Sequence, residues 1–266
     1  MTLALQNFPS IEAATAALAS PGARYLGGGT LVVRAANEGD VELRTFVRAT
    51  DPRLNDITVS DGAVRLGASV TMASIARHPQ LAAIAPAARA VGGPAIRNMA
   101  TVGGNLFAPA PYGDFAVALL ALDTKAEIDG SLTPLEDLLT GRATRYASSI
   151  VAGVSFGLPA EGSFRFAKVS RVKPKGISVL SIAATIEMAP DGTVKSARIA
   201  LGCMADHPVR ARAAEAALAG CRLDKEEVAP ALALAAEGTS PITDPIASAW
   251  YRKEVLPVHL GRLLLS

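Results

Sequence analysis

The 266-residue chain carries 26 basic against 24 acidic residues, a formal charge of +2, and half of it is apolar. That balance, with no basic run, argues against disorder and against a nucleic-acid surface. Two cysteines (Cys203, Cys221) and three scattered histidines (His78, His207, His259) make no disulfide framework and no zinc pattern, and they fall short of the four thiolates an iron–sulfur centre needs.

Residues 1–50 read as helix, strand, glycine loop, helix and strand. Ser10 caps a helix over 11–19; Glu12 and the lack of a preceding basic segment make it an amphipathic helix rather than a signal-peptide end. Tyr25-Leu26 is a short strand that runs into Gly27-Gly28-Gly29, Leu31 to Ala36 a helical turn, and Val41 to Arg48 a strand. Residues 51–155 form a second unit. Ala63 to Leu66 is a strand, Val70-Thr71 leads into a helix over 72–77, and Ala82 to Val91 is helical up to Gly92-Gly93-Pro94. Asp114 to Leu122 is an apolar helix, Asp129-Gly130 a hairpin turn, and Thr133-Pro134-Leu135-Glu136 a capping box. Beyond residue 163 the runs Ile177 to Met188 and Val194 to Cys203 flank Pro190-Asp191-Gly192-Thr193 and predict an antiparallel pair. Helices follow over Val209 to Ala219, Asp224 to Glu237, and Ala247 to Leu265, the last interrupted by Pro257. Lys173 and Lys175 around Pro174 read as a surface turn. The uncharged stretches are too short or too rich in Gly and Pro to span a membrane, and a cytoplasmic protein is expected. The order is α+β with segregated lobes, not an alternating doubly wound sheet.

Two glycine clusters carry the chemistry: Leu26-Gly27-Gly28-Gly29-Thr30-Leu31 and Thr101-Val102-Gly103-Gly104-Asn105-Leu106. Glycine lets main chain approach a ligand closely and point successive N–H groups into one concavity. Two such loops brought together hold a pyrophosphate from both sides, which makes a dinucleotide the leading ligand. Neither the G-x-G-x-x-G fingerprint in a strand–turn–helix setting nor a G-x-x-x-x-G-K-[ST] loop is present, so the architecture is another one.

The stretch AIRNMATVGGNLFAPAPYGDFAVALLALDTKAEIDG resembles the flavin-binding subunit of molybdenum hydroxylases, the family of xanthine dehydrogenase and carbon monoxide dehydrogenase. LGGGTLVVRAANEG and IALGCMADHPVRARAAEAALAG resemble that family's first loop and C-terminal domain. The resemblance implies a two-lobed FAD-binding fold of the vanillyl-alcohol-oxidase/PCMH type, followed by a C-terminal antiparallel sheet with helices. It divides the chain into FAD-binding subdomains over 1–52 and 53–160 and a C-terminal α+β domain over 161–266. Backbone N–H groups of Gly27, Gly28, Gly29 and Thr30 are then expected to bind the FAD pyrophosphate, joined by those near Thr101, Gly103 and Gly104, with Asn105 fixing the second loop. Leu26, Leu31 and Val151 contact the cofactor. Asp114 serves its adenosine side and Lys168 its flavin ring, and Val91 falls where some relatives stack an aromatic. Taken alone, Asp114 also reads as the N-cap of the helix it begins.

Leu31 stands where the family has a polar residue, and no aspartate follows Lys168 in the family's manner. The resemblance implies electron relay without a catalytic residue on this chain. Molybdopterin belongs to a large partner subunit and [2Fe–2S] clusters to a small one, in a dimer of heterotrimers that serves an electron acceptor. Two other readings stay open: a free-standing FAD-dependent reductase, for which no clear serine–glutamate pair is seen, and a non-catalytic assembly adaptor.

Overall fold

Each of three sheets is drawn from one stretch of the chain, and the computed structural model describes residues 3–172 and 176–266. The surface turn expected at Lys173 to Lys175 lies outside the described residues.

The first sheet contains β1 (Ala4–Phe8), β2 (Ala23–Tyr25) and β3 (Thr45–Ala49), with helices α1 (Ile11–Leu18) and α2 (Val32–Asn37) in the connections. Its order is β1-β3-β2, all parallel, with Val47 opposite both Gln6 and Tyr25. Ser10 caps α1 as its spacing predicts, its Oγ accepting from Ala13 N–H at 3.2 Å. Strand β1 is absent from the expectation. Four of its five residues are exposed, so it shows no buried alternation, and its ladder is made with a strand far along the chain.

The second stretch forms a five-stranded antiparallel sheet and a helical layer. It runs β4 (Ile57–Ser60), β5 (Ala63–Gly67), α3 (Met72–Arg77), α4 (Ala85–Ala90), α5 (Pro94–Met99), α6 (Val102–Leu106), α7 (Asp114–Ala121), β6 (Lys125–Ile128), β7 (Ser131–Pro134), α8 (Leu135–Gly141) and β8 (Val151–Gly157), in sheet order β4-β5-β8-β6-β7. Thr71 caps α3 through Ser74 N–H. Asp129 and Gly130 both take positive φ, 49° and 72°, to turn the β6–β7 hairpin, the geometry for which Asp-Gly is suited. The expected capping box does not form. Thr133 and Pro134 belong to β7, opposite Ala126 and Lys125, and α8 begins at Leu135. The residue at the N-cap of α8 is therefore Pro134, which has no side-chain acceptor to offer.

The third sheet, β9 (Phe164–Ser170), β10 (Ser178–Met188), β11 (Val194–Gly202) and β12 (Val209–Arg210), is antiparallel in the order β12-β11-β10-β9. Helices α9 (Arg212–Leu218), α10 (Ala229–Leu234) and α11 (Ala249–Leu264) follow. Val209 and Arg210 were expected in a helix but pair with Leu201 and Ala200, and Pro257 lies inside α11 without interrupting it. The period-2 alternation of β10 gives it two faces. Leu180, Ile182, Ala184 and Ile186 pack into the core shared with the C-terminal helices, whereas Ala183 joins the main core of the first two sheets. Helix α7, buried along its whole length, packs against α4, α6, β10 and β11. It is the element on which the C-terminal sheet docks, and its N-terminal end opens into the site.

Candidate functional site at the glycine clusters

The first cluster begins where the parallel ladder ends. Leu26 N–H donates to Val47 O at 2.7 Å, and the chain then leaves the sheet. Gly29 takes φ +73°, a left-handed conformation that suits glycine, and its carbonyl accepts from Val33 N–H at 3.0 Å as α2 starts. Among the described residues, the N–H groups of Gly27, Gly28, Gly29 and Thr30 have no protein partner. Four successive unpaired donors on bare backbone make a cradle for an anion.

The second cluster is built differently. It is the short helix α6 rather than an open loop. Thr101 Oγ accepts from Gly104 N–H at 3.1 Å, and Asn105 Nδ2 donates to Thr101 O at 3.1 Å. Val102 N–H goes to Val70 O, Gly103 N–H to Ala68 O at 2.8 Å, and Asn105 N–H to Thr101 O. The amides of Gly103 and Gly104, expected to bind pyrophosphate, are therefore committed inside the protein. What this segment offers a ligand is the Thr101 hydroxyl proton, since that oxygen is used only as an acceptor, and the Thr101 N–H, which has no partner among the described residues. Asn105 is 5% exposed and holds the turn as expected.

The two clusters meet. A Cβ on Gly27 would stand 3.0 Å from Thr101 Oγ, and one on Gly28 would stand 1.7 Å from Met99 O. Gly28 is thus dictated by the crossing of two backbones. Together the clusters wall a groove of about 760 Å³, within the range of about 300–1,000 Å³ typical of small-molecule and cofactor sites. Every residue singled out from the sequence lines it except Leu26. Leu26 lines an adjoining polar cavity of about 310 Å³ that shares Gly27, Gly28 and Thr101 with the groove.

An ion pair lines the same groove where α7 begins beside the second cluster. Asp114 Oδ2 accepts from Lys168 Nζ at 2.8 Å, and Lys168 also donates to Ala90 O at 2.9 Å. Gly113, at φ +92°, occupies the N-cap position of α7, so Asp114 is the first helical residue and caps nothing. Asp114 and Lys168 were expected at opposite ends of the cofactor, but their direct contact puts them at one place. Val91 ends α4 next to Ala90, and Val151 opens β8.

Other groove residues gave no signal in the sequence. Ser178 Oγ donates to Asp114 Oδ1 at 2.6 Å, and Arg34 Nη1 to Tyr112 Oη at 3.1 Å. Of these, only Arg34 has a local clue, as the first cation after the triple glycine. Burial raises the pKa of the Tyr25 phenol. Burial, with the Asp114 charge nearby, pushes the Cys203 thiol up to about 12, so this cysteine is an inert core residue. Arg142, whose pKa burial lowers, ties the Leu106 and Ala108 carbonyls to that of Asp206, bracing the end of α6 against the C-terminal sheet. Among the described residues no cluster of three or more His, Cys, Asp or Glu is placed to hold a metal, and no helix is long and apolar enough to cross a membrane.

A cradle of bare amides at the edge of a small parallel sheet, facing a second α+β unit across a cofactor-sized groove, defines an anion-binding site in a two-lobed α+β protein. Residues 6–159 match the family model for the FAD binding domain in molybdopterin dehydrogenase, and residues 165–266 match that for the CO dehydrogenase flavoprotein C-terminal domain. The chain belongs to this family of FAD-binding flavoprotein subunits of oxidoreductases. It is similar to the putative xanthine dehydrogenase FAD-binding subunit of Escherichia coli (strain K12), with 30% identity over 74% of this chain and 72% of that one. It is similar also to the nicotinate dehydrogenase FAD-subunit of Eubacterium barkeri, with 27% identity over 76% and 73%. In structure it matches a chain of the reconstituted CO dehydrogenase from Oligotropha carboxidovorans at a TM-score of 0.90, with 26% identity over 99% of this chain and 96% of that chain.

Proposed function

We propose that the chain is the electron-transfer subunit of a molybdenum-containing hydroxylase or dehydrogenase, taking electrons from the iron–sulfur clusters of a partner and passing them to NAD, a quinone, oxygen or another acceptor. The observation that carries this reading is the row of unpaired N–H groups from Gly27 to Thr30 lining a groove of cofactor size. FAD, when bound, supplies the capacity to exchange electrons singly or in pairs.

The chain's own residues bind and orient. The Gly27–Thr30 amides and the Thr101 hydroxyl neutralise the two negative charges of the pyrophosphate, the former with donors that need no reorganisation. Leu31, Val91 and Val151 give the groove apolar walls that exclude water, and Leu26 extends the wall into the adjoining cavity. Gly103, Gly104 and Asn105 hold Thr101 in place. Asp114, at the start of α7, and Lys168, from the C-terminal sheet, together form one polar contact. The three sheets support a division into 1–52, 53–160 and 161–266.

The assembly we infer is a dimer of heterotrimers in the cytoplasm, with molybdopterin on a large subunit and two [2Fe–2S] clusters on a small one. Support comes from the relatives, which are named as FAD subunits of xanthine and nicotinate dehydrogenases. Expressed alone, the chain should bind FAD stoichiometrically, and co-purification from its native source should recover two further subunits. A colourless protein that takes up no FAD, or a flavoprotein that turns over substrate as a monomer, rejects the reading.

A further inference from the structure

The Asp114 carboxylate is held by two side chains of the C-terminal sheet. Ser178 Oγ donates to Oδ1 at 2.6 Å, and Lys168 Nζ donates to Oδ2 at 2.8 Å. Both groups come from across the domain interface, since Asp114 starts α7 while Lys168 lies on β9 and Ser178 opens β10. Ser178 is 1% exposed and Asp114 6%, so the bond between them is buried. Lys168 has three protons. One goes to Asp114 and one to Ala90 O, and the third has no partner among the described residues. Lys168 lines the groove.

We propose that Ser178 is a positioning residue for the cofactor groove: it fixes the rotation of the Asp114 carboxylate, which locks the Lys168 ammonium and leaves one N–H of Lys168 for the cofactor. Each carboxylate oxygen of Asp114 accepts one bond in this latch. The C-terminal sheet thus contributes to FAD binding through a charge-neutral pair with a single aimed donor rather than through a free cation. Cofactor loading and docking of the C-terminal sheet are consequently coupled. The inference rests on the FAD reading above.

The test uses the full-length chain, with FAD dissociation constants from flavin fluorescence and melting temperatures of the apo form. Ser178→Ala should weaken FAD binding by about tenfold, the worth of a hydrogen bond to a charged group, and Ser178→Thr should restore most of it. Ser181→Ala, at a serine of the same strand that is equally buried but has no hydrogen-bond partner, should leave FAD affinity unchanged. Because Ser178 acts through Lys168, the Ser178→Ala effect should vanish in a Lys168→Met background, a non-additivity that a merely structural serine does not produce. If Lys168→Met fails to fold, the Ala and Thr pair at 178 decides alone. Equal FAD affinity of wild type and Ser178→Ala, with only the apo melting temperature lowered, overturns the inference. Failure of the wild type to bind FAD overturns the underlying reading instead.

Discussion

The two glycine clusters have nearly the same composition and opposite structures. The first, Gly27 to Thr30, keeps its amides free. The second, Thr101 to Leu106, spends all but that of Thr101 on its own short helix and on Ala68 and Val70. Glycine serves different ends in each. In the first it bares the backbone to a ligand and, at Gly28, lets that backbone cross the Met99–Ala100 segment. In the second it lets a helix start lie against Ala68, whose Cβ would be 3.1 Å from a Cβ on Gly103. A glycine-rich stretch becomes a binding loop only where its N–H groups have nowhere else to go.

Substitutions in each cluster separate these roles. Gly28→Val is the most severe, because its Cβ would lie 1.7 Å from Met99 O and backbone cannot yield as a side-chain tip does. A loss of about 3 kcal/mol or more is expected, seen as a lowered melting temperature of the apo protein as well as absent flavin. Retained apo stability would mean that the crossing is not the constraint. Thr101→Ala comes next. It removes the cap on Gly104, costing about 0.5–2 kcal/mol of stability, and also weakens FAD binding by about 1–3 kcal/mol if its proton meets a charged oxygen. Titration calorimetry on the folded variant separates the two losses, and an unchanged dissociation constant would remove the hydroxyl from the site. Asn105→Ala should lower stability by about 1 kcal/mol through the lost bond to Thr101 O, with FAD affinity following only as far as Thr101 loosens. Thr30→Ala should be the mildest. Its melting temperature should stay within the change produced by about 0.5 kcal/mol, and FAD affinity should stay nearly unchanged, because alanine keeps the Thr30 N–H. A stability loss without an affinity loss would reverse the contrast between the clusters.

Much of the local structure is legible because its causes are local. Ser10 and Thr71 sit three residues before the N–H groups they cap, and Asp129-Gly130 meets a turn that requires positive φ at both positions. The same logic misleads where a distant partner competes. Thr133 has the spacing of a cap but is claimed by the ladder opposite Ala126, and Val209 and Arg210 continue a helical pattern but pair with β11. Strand β1 is invisible because its parallel partner, β3, lies far downstream and neither face of β1 is buried.

The amino-acid sequence by itself determined the two glycine clusters, the α+β order and the family, because these rest on residue type and short spacing. It also picked out part of the groove's lining, while Arg34, Tyr112 and Ser178 came only from the fold. Tertiary structure alone decided which amides are free, that Asp114 and Lys168 form one pair, and that Ser178 completes it. Those outcomes depend on which donor meets which acceptor across elements far apart in the chain, and a buried polar group takes whichever partner the packing brings within about 3 Å.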